Sequence, residues 1–351
     1  MNKRSRNGWT ASASRRRRRT FACWSLLVIV LLVLLVANWH AWGIHQKEAD
    51  SLRHNSTKYW SRILPTYQWI GSDKLIAGYF APGKLVEADV TTGKQRTVLL
   101  PSSLSTFRLP NIEHGSLISP SGEWLYLEAH PLTRPTHRIA LFNLHTGQMS
   151  IRTENAPALF LGWLPDNSGW ASCHPIGQAL ALITSYRDAS RPPVSATYRQ
   201  SSIYNQQIQI FLGVTSANEV IVASWNLRPT GKLYIELMPL SGARTLRSLV
   251  IPIPAEREVH DVAFCPSRGL LAIQVRDLSL PSKISSMFSD DKVVDEIWIT
   301  DLTGKPMNRL GSMTVVPDTP YASNLTSLAW DVQGAHVTYT LDGLLFGVEA
   351  K

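Results

Sequence analysis

The side chains from which metal and nucleophile sites are built are sparse and dispersed in this chain. Ten histidines and three cysteines are spread over 351 residues. No Cys-x-x-Cys pair or His-Glu-x-x-His segment brings any of them to metal-ligand spacing. Gly-x-Ser-x-Gly, a Walker loop and a dinucleotide fingerprint are also missing from the sequence. One pairing has a positional logic. His114 and His260 each stand four residues before an apolar residue, Ile118 and Phe264, at corresponding places of an internal repeat. Such places lie at similar depth about a common axis, so both histidines are expected at one channel mouth. Glu113 and Asp261 beside them are suited to orient an imidazole or raise its pKa. Two histidines fall short of a metal site, and the matching region of the last copy offers Thr326. A lone surface or satisfied histidine is the commoner case. The sequence thus points to no catalytic residue, metal or cofactor, and His114, His260 and Asp261 stand as channel-mouth candidates.

The cysteines are too few for a disulfide framework. Cys23 falls in an apolar run, while Cys173 and Cys265 lie in apolar and turn contexts that suit buried lone thiols.

What positions everything else is the N-terminal segment. Arg15, Arg16, Arg17, Arg18 and Arg19 run directly into residues 21–37, an uncharged apolar stretch. As a helix this stretch is about 26 Å long, and extension to Ala41 brings it to about 31 Å, the thickness of a bilayer core. Trp39 and Trp42 follow at the far end, where indoles prefer the headgroup level. No acidic residue precedes Glu48, so the positive excess is expected to hold the N-terminus in the cytoplasm. The exit Ala37-Asn38-Trp39-His40-Ala41 is a poor cleavage site, which favours an uncleaved anchor over a secretory signal. Eight cationic residues precede Phe21, and subtracting them from the net charge of +9 leaves about +1 for the remainder. The basic tail therefore suits anionic lipid headgroups, and no nucleic-acid partner is expected. The organisation expected is a cytoplasmic tail (1–20), a transmembrane helix (21–42), a stalk with a helical start (43–64) and a folded domain (65–351).

From residue 65 onward short segments rich in Val, Ile, Leu, Tyr and Trp alternate with Gly, Pro, Ser and Asn turns. No helical period is sustained, which makes the domain all-β. An apolar segment, a turn and a second strand recur around Gly71-Ser72-Asp73-Lys74, Ser119-Pro120-Ser121-Gly122-Glu123 and Pro165-Asp166-Asn167-Ser168-Gly169. They recur again around Thr215-Ser216-Ala217-Asn218-Glu219, Cys265-Pro266-Ser267-Arg268-Gly269 and Asp331-Val332-Gln333-Gly334-Ala335. A third strand ending in Thr92-Gly93, Thr146-Gly147, Ser241-Gly242 or Thr303-Gly304 follows four of the copies, and glycine supplies the positive φ of such hairpins. The copies are about 45 to 52 residues apart, with a last interval of about 66 that places a surface insertion around residues 280–292. This period, with three or four short strands per unit, predicts a β-propeller of about six four-stranded blades, preceded by a single transmembrane helix. Trp124, Trp163, Trp170, Trp298 and Trp330 fall within the predicted strands and are expected to fill space between blades; a sugar-stacking platform is the alternative. A strand near residues 59–64 is expected to complete the last blade from its N-terminal side.

The turn sequences resemble the WD40-like repeats of the TolB-type family, whose units run apolar-Ser-Pro-Asp-Gly-Lys-strand and then strand-Asp-Leu-x-x-Gly. Ser119-Pro120-Ser121-Gly122-Glu123-Trp124 and Ile297-Trp298-Ile299-Thr300-Asp301-Leu302 match best, while the motif's aspartate is Ser121 in one copy, Ala217 in another and Arg268 in a third. The resemblance implies the fold and leaves activity to be argued from a site. The expectation is a membrane-anchored, extracytoplasmic propeller, periplasmic or extracellular, that binds an envelope protein or other ligand. An envelope hydrolase or lyase with its site in the central channel is the alternative.

Overall fold

The computed structural model describes residues 51–60, 66–71, 73–78, 83–110, 116–129, 137–154, 158–176, 179–199, 207–226, 231–241, 246–278, 293–303, 308–315, 326–341 and 344–350. The basic tail and the apolar segment 21–42 lie outside these residues, and among the described ones no helix is long and apolar enough to cross a membrane.

A five-residue helix α1 (Ser51–Asn55) leads into strand β1 (Ser56–Trp60). Five blades follow in sequence order, each an antiparallel meander. Blade 1 is β2 (Thr66–Trp69), β3 (Lys74–Gly78), β4 (Lys84–Asp89) and β5 (Gln95–Leu99). Blade 2 is β6 (Phe107–Arg108), β7 (Trp124–Ala129), β8 (His137–Asn143) and β9 (Met149–Glu154), and blade 3 is β10 (Leu159–Trp163), β11 (Gly169–Ile176), β12 (Ala179–Tyr186) and β13 (Val194–Arg199). Blade 4 is β14 (Gln207–Val214), β15 (Glu219–Asn226), β16 (Lys232–Pro239) and β17 (Arg247–Pro252), and blade 5 is β18 (Arg257–Cys265), β19 (Leu270–Asp277), β20 (Val293–Asp301) and β21 (Asn308–Val315). Among the described residues the strands form an all-β, six-bladed propeller of four-stranded blades, as the repeat predicts.

The sixth blade is composite. β22 (Thr326–Trp330), β23 (His336–Leu341) and β24 (Leu344–Glu349) supply three strands, and β1 adds the fourth by pairing antiparallel with β24 through Ser56↔Val348, Thr57↔Gly347 and Lys58↔Phe346. The ring therefore closes with an N-terminal strand, as expected, but that strand ends at Trp60 and starts before residue 59. Residues 61–65 lie outside the described set. Leu52 of α1 is fully buried in the apolar seam of blades 5 and 6. It fits because Gly311 opposite has no side chain: a Cβ there would stand 2.9 Å from the Leu52 Cγ. Ser51 adds a polar tie, its hydroxyl accepting from the Ser312 backbone N–H at 3.0 Å.

The core lies between blades, because each sheet is apolar on both faces and must be covered twice. Separate clusters fill the seams of blades 1 to 3, 3 and 4, 4 and 5, and 5 and 6, and the smallest closes blade 6 on blade 1. Trp163, Trp170 and Trp330 are buried in these seams, and Trp124 and Trp298 pack against them. The five tryptophans thus fill inter-blade space.

In five of the repeats the first turn carries a left-handed residue. The left-handed position is Gly122, Gly269 or Gly334 in three copies and Asn167 or Asn218 in two others, all with φ near +60° to +76°. Asparagine tolerates this region because its short side chain bonds locally. In the third copy the neighbouring Gly169 serves another end: a Cβ there would lie 1.9 Å from the Ser185 carbonyl oxygen on the adjacent strand. Two of the predicted hairpins, at Thr92-Gly93 and Thr146-Gly147, form with Gly93 and Gly147 at φ +69° and +70°, whereas Gly242 and Gly304 of the other two lie outside the described residues. Asp89 and Asn143 preorganise them by accepting from the backbone amides of Thr92 and Thr146 at 2.7 and 2.8 Å. Both remaining cysteines, Cys173 and Cys265, are buried free thiols, in keeping with their sequence context.

Candidate functional site: the central channel

The segments leading into the first turn of each repeat, with those turns, line a cavity of about 590 Å³ at the axis of the ring. All six repeats contribute to it, which is what a shared position in a closed ring requires. Aligning the copies on the residue just before their first turn picks out one ring of these side chains. Trp69, Ile118, Trp163, Val214, Phe264 and Trp330 occupy one register position, and all six line the channel.

Hydrogen bonds between neighbouring blades hold this wall. Trp163 donates its indole N–H to the carbonyl of Leu117 at 2.9 Å, one blade back. Trp330 repeats the arrangement, donating to the carbonyl of Ala263 at 3.2 Å. Between blades 1 and 2 the tie runs the other way, with the Leu117 backbone N–H donating to Gln68 Oε1 at 3.0 Å. At the ring-closing seam Thr338, fully buried on β23, accepts the Trp69 indole N–H at 3.3 Å and bonds the Tyr67 hydroxyl at 3.3 Å. Its own proton goes to the Ala329 carbonyl. That leaves the tyrosine as donor in the pair. Burial drives the Tyr67 phenol well above its usual pKa, and the Asp261 charge adds to the rise against the opposing Thr338 bond. Tyr67 is therefore a neutral donor at any physiological pH.

The mouth is stiffened too. The Ser121 backbone N–H donates to Asn167 Oδ1 at 2.8 Å, joining the turns of blades 2 and 3. Arg268 Nη1 donates to the Gly334 carbonyl at 2.9 Å, joining those of blades 5 and 6. Asp331 at the rim is buried, accepts the Ala335 backbone N–H at 2.8 Å and pairs with His336 Nδ1 at 2.9 Å.

The three channel-mouth candidates do not share one environment. Asp261 lines the channel, one carboxylate oxygen accepting the Val262 N–H at 2.8 Å and the other the Leu328 N–H of blade 6 at 3.3 Å. His260 is not among the lining residues; the β18 bulge between Val259 and Asp261 places it beside Glu258 at 3.7 Å. Burial lowers its pKa, the Arg276 charge lowers it further, and Asp295 and Glu258 act in opposition. Neighbouring carboxylates thus do push the pKa up, as expected of them, but burial outweighs that effect. His114 lies outside the described residues. Among those residues no group of three or more His, Cys, Asp and Glu side chains is arranged to hold a metal ion.

Blade 5 also carries an ionic network with no sequence signature. Arg257 Nη1 binds Asp277 at 2.6 Å and its Nε binds Glu296 at 2.9 Å, while the Trp298 indole also donates to Glu296 at 2.9 Å. On the opposite face Arg276 and Gln274 donate to Asp295 at 3.0 and 2.9 Å. All three carboxylates are buried. Asp277 closes β19, and Asp295 and Glu296 stand near the start of β20, so the network braces both strands flanking the predicted insertion.

No known family model and no curated protein sequence matches the chain. Its fold is similar to that of solved propellers. A TolB protein of Agrobacterium tumefaciens is 13% identical, with a TM-score of 0.47 over 72% of this chain and 81% of that one. TolB of Acinetobacter baumannii is 12% identical, with a TM-score of 0.42 over 86% and 67%. An oligogalacturonate lyase in complex with manganese is 13% identical, with a TM-score of 0.45 over 80% and 74%. The likeness is one of architecture.

Proposed function

We propose that this chain is a single-pass membrane protein, cytoplasmic at its N-terminus, that presents its propeller outside the cytoplasm as a binding scaffold for an envelope protein. The anchor is residues 21–42, set by Arg15 to Arg19 and by Trp39 and Trp42, with the basic tail against anionic headgroups. The observation that carries the binding role is the channel mouth. Ser119, Ser216 and Ser267 alternate there with Pro120, Pro165 and Pro266, on turns tied to their neighbours by Asn167 and Arg268. A rigid ring of loops on a scaffold offers preorganised contacts at small entropic cost. The two described carboxylates of the channel, Asp261 and Asp331, are engaged by backbone amides, which suits structural and recognition roles.

Crosslinking in intact cells, followed by purification from solubilised membranes, tests the reading. A partner retained by the native chain and lost when Ser216 and Val332 are both changed to Arg supports it. Recovery of the same partner from the double variant overturns it. Topology is tested separately by a carboxyl-terminal alkaline phosphatase fusion, which is active only if the propeller is exported.

A further inference from the structure

Blade 3 carries a set of unmatched hydrogen-bond donors on the face it turns to blade 2. Four buried side-chain atoms lack a hydrogen-bond partner among the described residues, and Trp170 Nε1, Ser172 Oγ and Arg187 Nε are three of them. The register places these three together. Trp170 pairs with Ser185 and Ser172 with Ile183, and Arg187 stands two residues beyond Ser185, its backbone N–H donating to the Ser168 carbonyl at 2.8 Å. Residues two apart share a face of a sheet, which makes Arg187 and Trp170 diagonal neighbours. Trp170 is fully buried in the seam. The Arg187 guanidinium lies over the Trp124 ring of blade 2, 5.1 Å from its centroid. A buried donor without an acceptor is costly, and native structures leave few of them unless water or an ion completes the site.

Two more guanidiniums meet at this point. Arg152 of blade 2 lies 5.3 Å from the Trp170 centroid and donates across the seam to the carbonyls of Tyr186 and Arg187. Arg191 stacks on Tyr186, 3.5 Å from the ring centroid. The carboxylates of the adjoining turns, Asp166 and Asp188, are engaged within those turns. Each accepts a hydroxyl and a backbone N–H, from Ser168 and Ser190 respectively. These serine bonds hold both acids below their usual range; Arg191 adds to the effect on both and Arg152 to that on Asp188. Arg187 forms no ion pair among the described residues. Its stacked plane fixes the direction of its N–H edge, and a guanidinium edge matches the oxygens of a phosphate.

Independently of the scaffold reading, we infer that the mouth-side end of the seam between blades 2 and 3 binds a phosphate-type oxyanion, held by Arg187, Arg191 and the Trp170 indole N–H. Arg187 is half-buried and Arg191 exposed, so the ligand enters from solvent. The entrance adjoins the turn of Pro165 and Ser168 at the channel mouth. A planar carboxylate satisfies one guanidinium edge, whereas a tetrahedral oxyanion presents acceptors to donors on several sides. Free phosphate and the headgroup of an anionic phospholipid share this chemistry.

The test is calorimetry on the full chain in detergent micelles, at an ionic strength held constant with chloride. The probes are inorganic phosphate and glycerophosphoglycerol, the water-soluble headgroup of an anionic phospholipid. At least one probe is expected to bind saturably, and at least about tenfold more weakly to Arg187→Gln. Both proteins keep the basic tail, so the difference belongs to the propeller. Arg96→Gln, which removes an exposed arginine paired with Glu87, should bind like the native chain. Tighter binding of inorganic phosphate assigns the site to the free ion, and tighter binding of the diester assigns it to lipid; either result supports the site. Saturable binding of neither probe, or equal affinity in the native chain and Arg187→Gln, overturns the inference. Thermal melts report folding. If Arg187→Gln is unfolded, the exposed Arg191→Gln carries the test, and native-like affinity in that variant overturns the site.

Discussion

Trp163 donates its indole proton to the carbonyl of Leu117 in the preceding blade, and Trp330 makes the equivalent bond to Ala263 three seams further round the ring. The same residue type at the same repeat position thus staples two seams from the channel side. Changing either tryptophan to phenylalanine keeps most of the apolar volume but strands a buried carbonyl. Each change should lower the unfolding free energy by about 1–3 kcal/mol, as read from urea denaturation. An unchanged midpoint for both would show that the staples are incidental.

The ion pairs of blade 5 predict a larger effect. Arg257→Ala leaves Glu296 and Asp277, both almost fully buried, without their shared guanidinium. Breaking a buried pair from one side costs about 3–5 kcal/mol. Arg96→Ala is the control, because its pairing with Glu87 is made at an exposed guanidinium and is worth at most about 1 kcal/mol. Similar losses for the two variants would contradict the buried-network reading.

Closure by the N-terminal segment is tested at Leu52. Its side chain is fully buried against Gly311, so Leu52→Ala should cost about 2–5 kcal/mol. Removing residues 51–60 should lower the melting temperature further by exposing the edge of β24. A melt unaffected by that deletion would mean that blade 6 is stable with three strands.

A pH effect follows from His260. Its folded-state pKa lies below the ordinary 6.5 because of burial and Arg276, with Glu258 and Asp295 opposing. As pH falls past 6.5 the unfolded chain takes up this proton more readily than the folded one, so stability present above that pH declines below it. Between about pH 7 and 5 the native protein should therefore lose more stability than His260→Gln. Parallel pH profiles for the two proteins would remove the effect.

The Cys173 thiol is pushed up to about 12 by burial. It should resist iodoacetamide at pH 8 in the folded protein and react fully in denaturant, since the thiolate is the reactive form. Labelling of the native state at the rate of a free thiol would place Cys173 at the surface.

The blade count was legible because a propeller repeats its turns, and turns leave the strongest local marks: Gly122, Gly334 and the pair Thr92-Gly93 each answer a backbone demand. The ring-closing strand was legible as a missing element, but its position was shifted, because Ser56-Thr57-Lys58 has the polar composition of an outer edge and reads as stalk. The channel candidates divided for a similar reason. Counting residues within the repeat put His260 and Asp261 together, whereas the bulge beside them separates the two positions. The Arg257–Glu296–Asp277 network left no periodic trace, since its members come from three strands of one blade and meet only after pairing.

The bond between the hydroxyls of Ser56 and Tyr339 joins residues 283 positions apart. During synthesis the first strand emerges long before the sheet that will receive it. Its backbone donors and acceptors stay without a neighbouring strand while five blades are made, which exposes a sticky edge for that whole interval. Maturation of this molecule thus ends with its oldest strand, and the late step is a long-range search of the kind that slows folding most.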